Sequence, residues 1–180
     1  MREPITQEIL YLTFGVFYAI YKEQRGGCDM PAEILDIVTS PVTIVTARDG
    51  DKINGMTLSW IMQGAYNPAA LIVSIAPERY TYSLIKNSKV FGVNILASDQ
   101  KLLGRRFGFA SGSKVDKFKG VKFHKSKSGL PVLDDVFAYI ECKLLDIKNA
   151  GDHDLFIGEV VERIVDDSKK ALVFKTSDYF

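Results

Sequence analysis

From Pro41 onward the chain alternates short β-branched runs with turn residues, and this pattern limits what it can fold into more than anything else in it. Val42-Thr-Ile-Val-Thr-Ala47 stops at Arg48-Asp-Gly-Asp-Lys52, a hairpin-type turn. A second strand is expected from Gly55 to Ala65, ended by Asn67-Pro68, and a third from Leu71 to Ala76, broken by Pro77. Val90 to Ile95 returns to strand. Two long strands follow, Phe137 to Lys148 and Leu155 to Val165; in the first, Ile140, Cys142 and Leu144 alternate with Glu141 and Lys143. Ala171 to Lys175 closes the sheet. Helices are few: Thr81 to Asn87, capped by Thr81, and a segment opened by Ser98-Asp-Gln with Leu102, Leu103 and Phe107 on one face. Residues 111–133 read as a long connection with six lysines between Lys114 and Lys127. A mainly β domain results, most economically a small barrel with short peripheral helices.

Residues 1–30 stand apart as an apolar extension, and residues 31–180 form the domain. Ile9 to Ile20 is apolar, yet a run of this length is too short to span a bilayer. It also lacks a basic lead-in and a small-residue cleavage site. Its spacing fits a strand as well as a helix; its length and the Gly26-Gly27 stop favour helix, buried or facing a second copy. The 180 residues amount to one domain, and the net charge of +1 leaves no whole-chain basic footprint for nucleic acid. Phe118 and Phe123 interleave the lysines of the connection, but a solvated loop guarding a site explains them better than a nucleic-acid grip. Cys28 and Cys142 lie far apart and make no CxxC, which points to a reducing, cytoplasmic setting without a disulfide framework. Two histidines cannot build a multi-histidine metal site. No GxGxxG, GxxxxGK[ST], GxSxG or HExxH occurs. The acidic pairs Asp134-Asp135, Asp152/Asp154 and Asp166-Asp167 flank turns, where such residues are common.

Four segments, in order, resemble the flavin-reductase-like family. They are Pro41–Ala47 with Asn54-Gly-Met-Thr-Leu-Ser-Trp60; Pro68 through Ser74-Ile75 to Arg79-Tyr-Thr-Tyr-Ser-Leu-Ile85; Phe91-Gly-Val-Asn-Ile-Leu96 with Phe107-Gly-Phe-Ala-Ser-Gly112 and Val115-Asp-Lys-Phe118; and Gly151-Asp-His-Asp-Leu-Phe-Ile-Gly158. The third is similar to the flavin domains of high-molecular-weight rubredoxins and to flavoredoxins. The resemblance covers about residues 35–175.

The resemblance implies an FMN-binding split β-barrel, a homodimer, and a flavin near the interface. It implies that Met56, Thr57, Leu58 and Ser59 lie along the ring and ribityl chain, with Ser74 and Ile75 at the end of a neighbouring strand. Residue chemistry on its own places Arg79 and Thr81 at a helix mouth, where free N–H groups and the helix dipole favour a phosphate. Asn94, polar within an apolar strand, needs hydrogen-bond partners, and the resemblance sets it close to the flavin. Ala110, Ser111 and Gly112 are small enough for a backbone approach to a ligand, with Lys114 or Lys117 adding charge. His153 is either a polar turn residue or, as the resemblance implies, the residue that meets the nicotinamide.

The function implied is an oxidoreductase passing electrons from NADH or NADPH through FMN to free flavin, a ferric chelate or a partner redox protein. Two alternatives stay open: an FMN electron carrier reduced by another protein, and a split-barrel binding protein without flavin. Two cysteines cannot supply the four thiolates of a rubredoxin iron site. No metal, nucleic acid or membrane is called for.

Overall fold

In a computed structural model, residues 38–178 are described, and Thr39–Phe174 form one compact unit. The expected N-terminal helix, its role in dimerisation, Cys28 and the boundary at residues 30/31 lie outside the described residues. Seven strands make one antiparallel sheet in the order β2-β1-β5-β8-β9-β4-β3. These are β1 (Thr43–Asp49), β2 (Lys52–Leu58), β3 (Ile61–Tyr66), β4 (Ala69–Ile75), β5 (Val90–Ile95), β8 (Ala138–Asn149) and β9 (Asp154–Val165). A separate hairpin joins β6 (Phe123–Lys125) to β7 (Pro131–Leu133), and α1 (Tyr80–Ser88) and α2 (Lys101–Gly108) are the helices.

The two edge strands, β2 and β3, are consecutive in sequence and separated by Ser59 and Trp60 alone. So short a link between opposite edges requires the sheet to curl until its edges meet. Because β2 and β3 do not pair, the barrel stays split at that seam. The single strand expected over residues 55–65 is therefore two strands that change edge at Ser59-Trp60. A Gly and a Pro would have announced a turn, but this crossing has neither. The Ile61 amide donates to Ser59 O at 3.1 Å, and the Ser74 amide to Trp60 O at 3.1 Å, holding the crossing against β4.

Val45, Val93, Phe91, Cys142, Phe156, Val73 and Ile75 face inward, and Leu84 and Ile85 of α1 close the core. Burial pushes the Cys142 thiol up to about 12, so it is an inert core group. On the outer face, α2 lies over β1 and β2, with Phe107 against Gly55. The β6–β7 hairpin covers β1 and β5, where Thr46 Oγ1 donates to Pro131 O at 2.9 Å. Burial on both faces explains why β1 reads as an unbroken β-branched run rather than an alternating one. Two further expectations are corrected. The connection over 111–133 holds the β6–β7 hairpin, and Ala171–Lys175 makes only isolated bridges, Ala97 to Ala171 and Pro41 to Val173. Among the described residues no helix is long and apolar enough to cross a membrane.

Candidate functional site

The site is organised along β2, an edge strand whose two ends meet different chemistry. The stretch from Asn54 to Ser59 spans roughly 17 Å at the usual rise per residue. At the Asn54 end, Asn54 Nδ2 donates to Thr81 Oγ1 at 2.8 Å with both residues buried. Thr81 is thus not the cap of α1. Arg79 holds the N-cap position and makes no side-chain capping bond, while Thr81 is drawn inward onto β2. Accepting from Asn54 leaves the Thr81 hydroxyl proton able to donate onward.

Lys117 closes this corner from the third side. It is buried, and its Nζ donates to Gly55 O and Phe107 O, each at 2.9 Å. Burial pushes its ammonium down to about 8, and the charge of Arg79 adds to the effect. Two of its three N–H groups are spent on carbonyls, and the exposed Arg79 guanidinium has no hydrogen-bonded or ionic partner among the described residues, its backbone alone bonding Ala76 and Tyr82. The start of α1 thus carries Arg79, whose charge Lys117 feels, and the Thr81 hydroxyl, while the Tyr82 amide of its first turn already bonds Arg79 O at 2.9 Å. A cleft of ≈ 410 Å³ opens here, lined by Asn54, Tyr80, Gly112, Lys114 and Lys117 among others. Gly112 must be glycine, because a Cβ would lie 1.9 Å from Asn54 Oδ1.

At the Ser59 end the crossing meets the turn before β9. The His153 ring packs against Trp60 with centroids 4.7 Å apart, and its Nδ1 lies 2.8 Å from Asp152 Oδ1. A carboxylate only accepts, so this contact is made by the tautomer that carries its proton on Nδ1. Next to it, Asp154 Oδ2 accepts from Tyr82 OH at 2.7 Å, and Oδ1 from Asn149 Nδ2 at 3.0 Å. The Tyr82 bond and then the Asn149 bond hold the Asp154 carboxyl below its usual range. Because Tyr82 belongs to α1, this pair ties the His153 turn to the helix whose mouth forms the other end.

The remaining residues expected at the site divide between its surface and the packing beneath it. Met56 and Leu58 pack toward the core, and Thr57 Oγ1 faces the other way and donates to Gly104 O at 2.5 Å, holding α2. Ser59 is half-buried at the crossing. Ser74 is half-buried on the face away from the core, whereas the Ile75 side chain is fully inside it. Ala110 and Ser111 lead into the cleft, with Ser111 Oγ 2.8 Å from Ser113 Oγ. Asn94 is the outlier. It lies two strands from Thr57, about 10 Å across the sheet, and is fully buried. Its Oδ1 accepts from the Leu133 amide at 2.8 Å, and its Nδ2 is within reach of Ile44 O (3.2 Å), Thr46 Oγ1 (3.3 Å) and Pro131 O (3.4 Å).

Asn54, Trp60 and Tyr82 carry no site expectation from the sequence, and Lys117 is one of the two lysines, with Lys114, expected to add charge there. Asn54 carried the same signal that flagged Asn94, a polar residue inside a strand. Among the described residues no cluster of three or more potential metal ligands exists.

Residues 35–180 match the family model described as a flavin reductase like domain. The high molecular weight rubredoxin of Moorella thermoacetica is 36% identical over 138 residues, covering 76% of this chain and 60% of that protein. A second relative, from Aeropyrum pernix, is 37% identical, and the chain spans 51% of its length. A flavin reductase of Pseudomonas putida is 34% identical over 77% of this chain and 80% of its own. Among solved structures, an FMN-binding protein from Thermus thermophilus superposes with a TM-score of 0.76 at 26% identity, over 86% of this chain and 91% of that one.

Proposed function

The chain belongs to the flavin reductase-like family, and on that premise we propose that it binds FMN and passes electrons from NADH or NADPH through the flavin to an acceptor. The observation that carries the reading is the corner where Arg79, Lys117 and the spare Thr81 hydroxyl converge at the mouth of α1. The charges of Arg79 and Lys117 oppose one another, and although Asp116 also lines the cleft, a phosphate dianion held by the two cations removes that cost. The chemistry of these donors fits a terminal monophosphate. Asn54 and Gly112 shape the corner, β2 from Met56 to Ser59 runs away from it, and Trp60 with His153 flanks the far end. When bound, the flavin accepts hydride equivalents and releases electrons. The protein's share is to hold the phosphate, exclude water along β2 and orient the nicotinamide beside His153. A homodimer and a cytoplasmic setting belong to the same proposal, as does an acceptor drawn from free flavin, ferric chelates or a redox protein.

The test is direct. Purified protein incubated with FMN and freed of excess is expected to be yellow, to quench the fluorescence of Trp60, its single tryptophan, and to bleach on mixing with NADH or NADPH. A colourless product would end the flavin reading, and bound flavin that neither nucleotide reduces would favour the electron carrier.

His153→Ala separates orientation from binding. The variant is expected to keep FMN while its reduction by NAD(P)H slows roughly five- to tenfold, the cost of one positioning hydrogen bond. Dithionite should reduce it at the normal rate. An unchanged rate with both nucleotides removes His153 from the site.

Lys117 also gives the site a pH dependence of known sign. The ammonium is needed to hold a dianion and is lost as pH rises through about 8. FMN affinity should therefore fall above pH 8, while that of riboflavin, which has no phosphate, should stay level. The ligand-free fold responds the other way. Between about 8 and the ordinary lysine value of 10.5 the unfolded chain binds the extra proton, so this group's contribution to stability rises with pH. Parallel pH profiles for the two flavins would contradict the assignment of Lys117 to the phosphate.

A further inference from the structure

The positive charge of this chain is concentrated in one place. Between Lys101 and Lys127 stand nine Lys and Arg against a single acid, Asp116, in a chain whose net charge is +1. Two are committed to the fold. Lys117 is buried on its two carbonyls, and the Arg106 guanidinium donates to Lys117 O at 2.9 Å and to Lys119 O. Lys114, Lys119, Lys122, Lys125 and Lys127 are all exposed, and none has an acidic partner among the described residues.

These lysines sit on one packed body. Phe107 of α2, Phe118 of the connection and Phe123 of β6 meet edge to face in series, with centroids 5.1 and 4.9 Å apart. From the same body two apolar side chains emerge into solvent, Leu102 at 79% exposure and Val115 at 49%. Leu102 lies four residues before Arg106, so both share the helix face that clasps residues 117–119. Leu102 and Val115 place apolar area among these lysines. An apolar anchor inside a charged rim is the anatomy of a docking surface.

We propose that the face made by α2 and residues 113–127 docks an acidic electron-transfer protein that exchanges electrons with the flavin site, an inference that rests on the flavin reading above. Unpaired ammonium groups select a carboxylate-rich surface and steer its approach. A protein fits better than a nucleic acid because the three phenylalanines are turned inward on one another, leaving no aromatic platform for bases. The reach is sufficient. A standard interface covers about 800 Å² per partner, a disc on the order of 30 Å across. Lys114 lines the cleft, so a partner centred on this face also overhangs the β2 edge. In the transfer, one reduced FMN gives up two electrons and two protons. Two ferric centres become ferrous in successive encounters, and the protons pass to water.

The test uses the full chain loaded with FMN and reduced by dithionite. It is mixed with a rubredoxin, an acidic one-electron iron protein, or with cytochrome c, a basic haem protein. The rubredoxin rate constant should fall roughly tenfold or more between about 50 and about 500 mM salt, and cytochrome c should show no such fall. Lys119→Glu combined with Lys122→Glu should slow rubredoxin at least tenfold and speed cytochrome c. Oxidation by menadione, a small neutral quinone, should be unchanged, which also reports an intact fold. Leu102→Ser should weaken the rubredoxin complex with every charge in place. An unaltered rubredoxin rate in the charge-reversed variant overturns the proposal, as does a wild type that prefers cytochrome c or binds single-stranded DNA more tightly than rubredoxin at equal salt. Titrating the flavin-free chain with rubredoxin should show the same charge dependence. A failure of flavin binding, which would end the functional reading, is thereby told apart from a failure of the docking face.

Discussion

Replacing Lys117 with Met is expected to weaken FMN binding roughly ten- to 150-fold while changing riboflavin affinity only a few-fold, because the proposed contact that it removes is charge-assisted and specific to the phosphate. Methionine keeps most of the volume of the side chain, so the change removes mainly the ammonium. That ammonium does two things at once. It ties the 109–122 connection to β2 and α2 through Gly55 O and Phe107 O, and it feels the charge of Arg79 with one N–H unspent. The first role predicts that the ligand-free variant loses stability, since two buried carbonyls lose their donor at a cost of about 1–3 kcal/mol each. The second predicts that added FMN stabilises the variant far less than the parent, which the shift in melting temperature with ligand concentration reads directly. Titration of both proteins with FMN and riboflavin, followed through Trp60 fluorescence, decides between them. Equal losses for the two flavins would make Lys117 a clasp for the loop and nothing more.

That prediction turns on a residue whose role is hidden from local reasoning, and the way it is hidden is instructive. Lys117 sits among six lysines in a segment whose composition reads as solvated loop, and only the tertiary carbonyls that receive it distinguish it from Lys114 or Lys119. The strands β1, β5, β8 and β9 were legible because each carries its own periodicity or β-branched run. The crossing at Ser59-Trp60 was not, since the chain changes edges in the plane of the sheet without a glycine or proline to mark it. Thr81 illustrates a different limit. Its position before an apolar helix fits a cap, but Asn54 offers a buried donor from β2, and that contact outweighs the local one. The resemblance names more of the candidate site than periodicity does, and the structure sets His153 against Trp60 at the crossing that follows Met56 to Ser59. It could not tell backbone from side-chain roles, so Ile75 was named although its side chain belongs to the core.

Asn94 is where the two ways of reading part most sharply, and Asn94→Leu is the substitution that exposes the difference. A polar residue inside an apolar strand needs partners, and Asn94 has them. Its principal partners, Leu133 and Pro131, lie on the β7 strand hidden in a connection that looked structureless. Leucine keeps the branched skeleton of asparagine but is larger and makes none of its bonds. The Leu133 amide would be left buried without an acceptor, and the carbonyls of Ile44 and Pro131 and the Thr46 hydroxyl would lose a donor. The expected cost is about 2–4 kcal/mol, which for a domain of this size lowers the melting temperature by roughly 5–15 °C. Tyr139 and Gly92 add to the penalty, because a Cβ on Gly92 would already lie 2.7 Å from Thr46 Oγ1 and the space under the hairpin admits no rearrangement. Below its transition the variant should bind FMN as tightly as the parent, since Ile44 stands between Asn94 and the β2 residues proposed to hold the flavin. A variant of normal stability with weakened FMN binding would reverse the conclusion and put Asn94 among the flavin contacts. Thermal melts and flavin titrations on the same preparation separate the two outcomes.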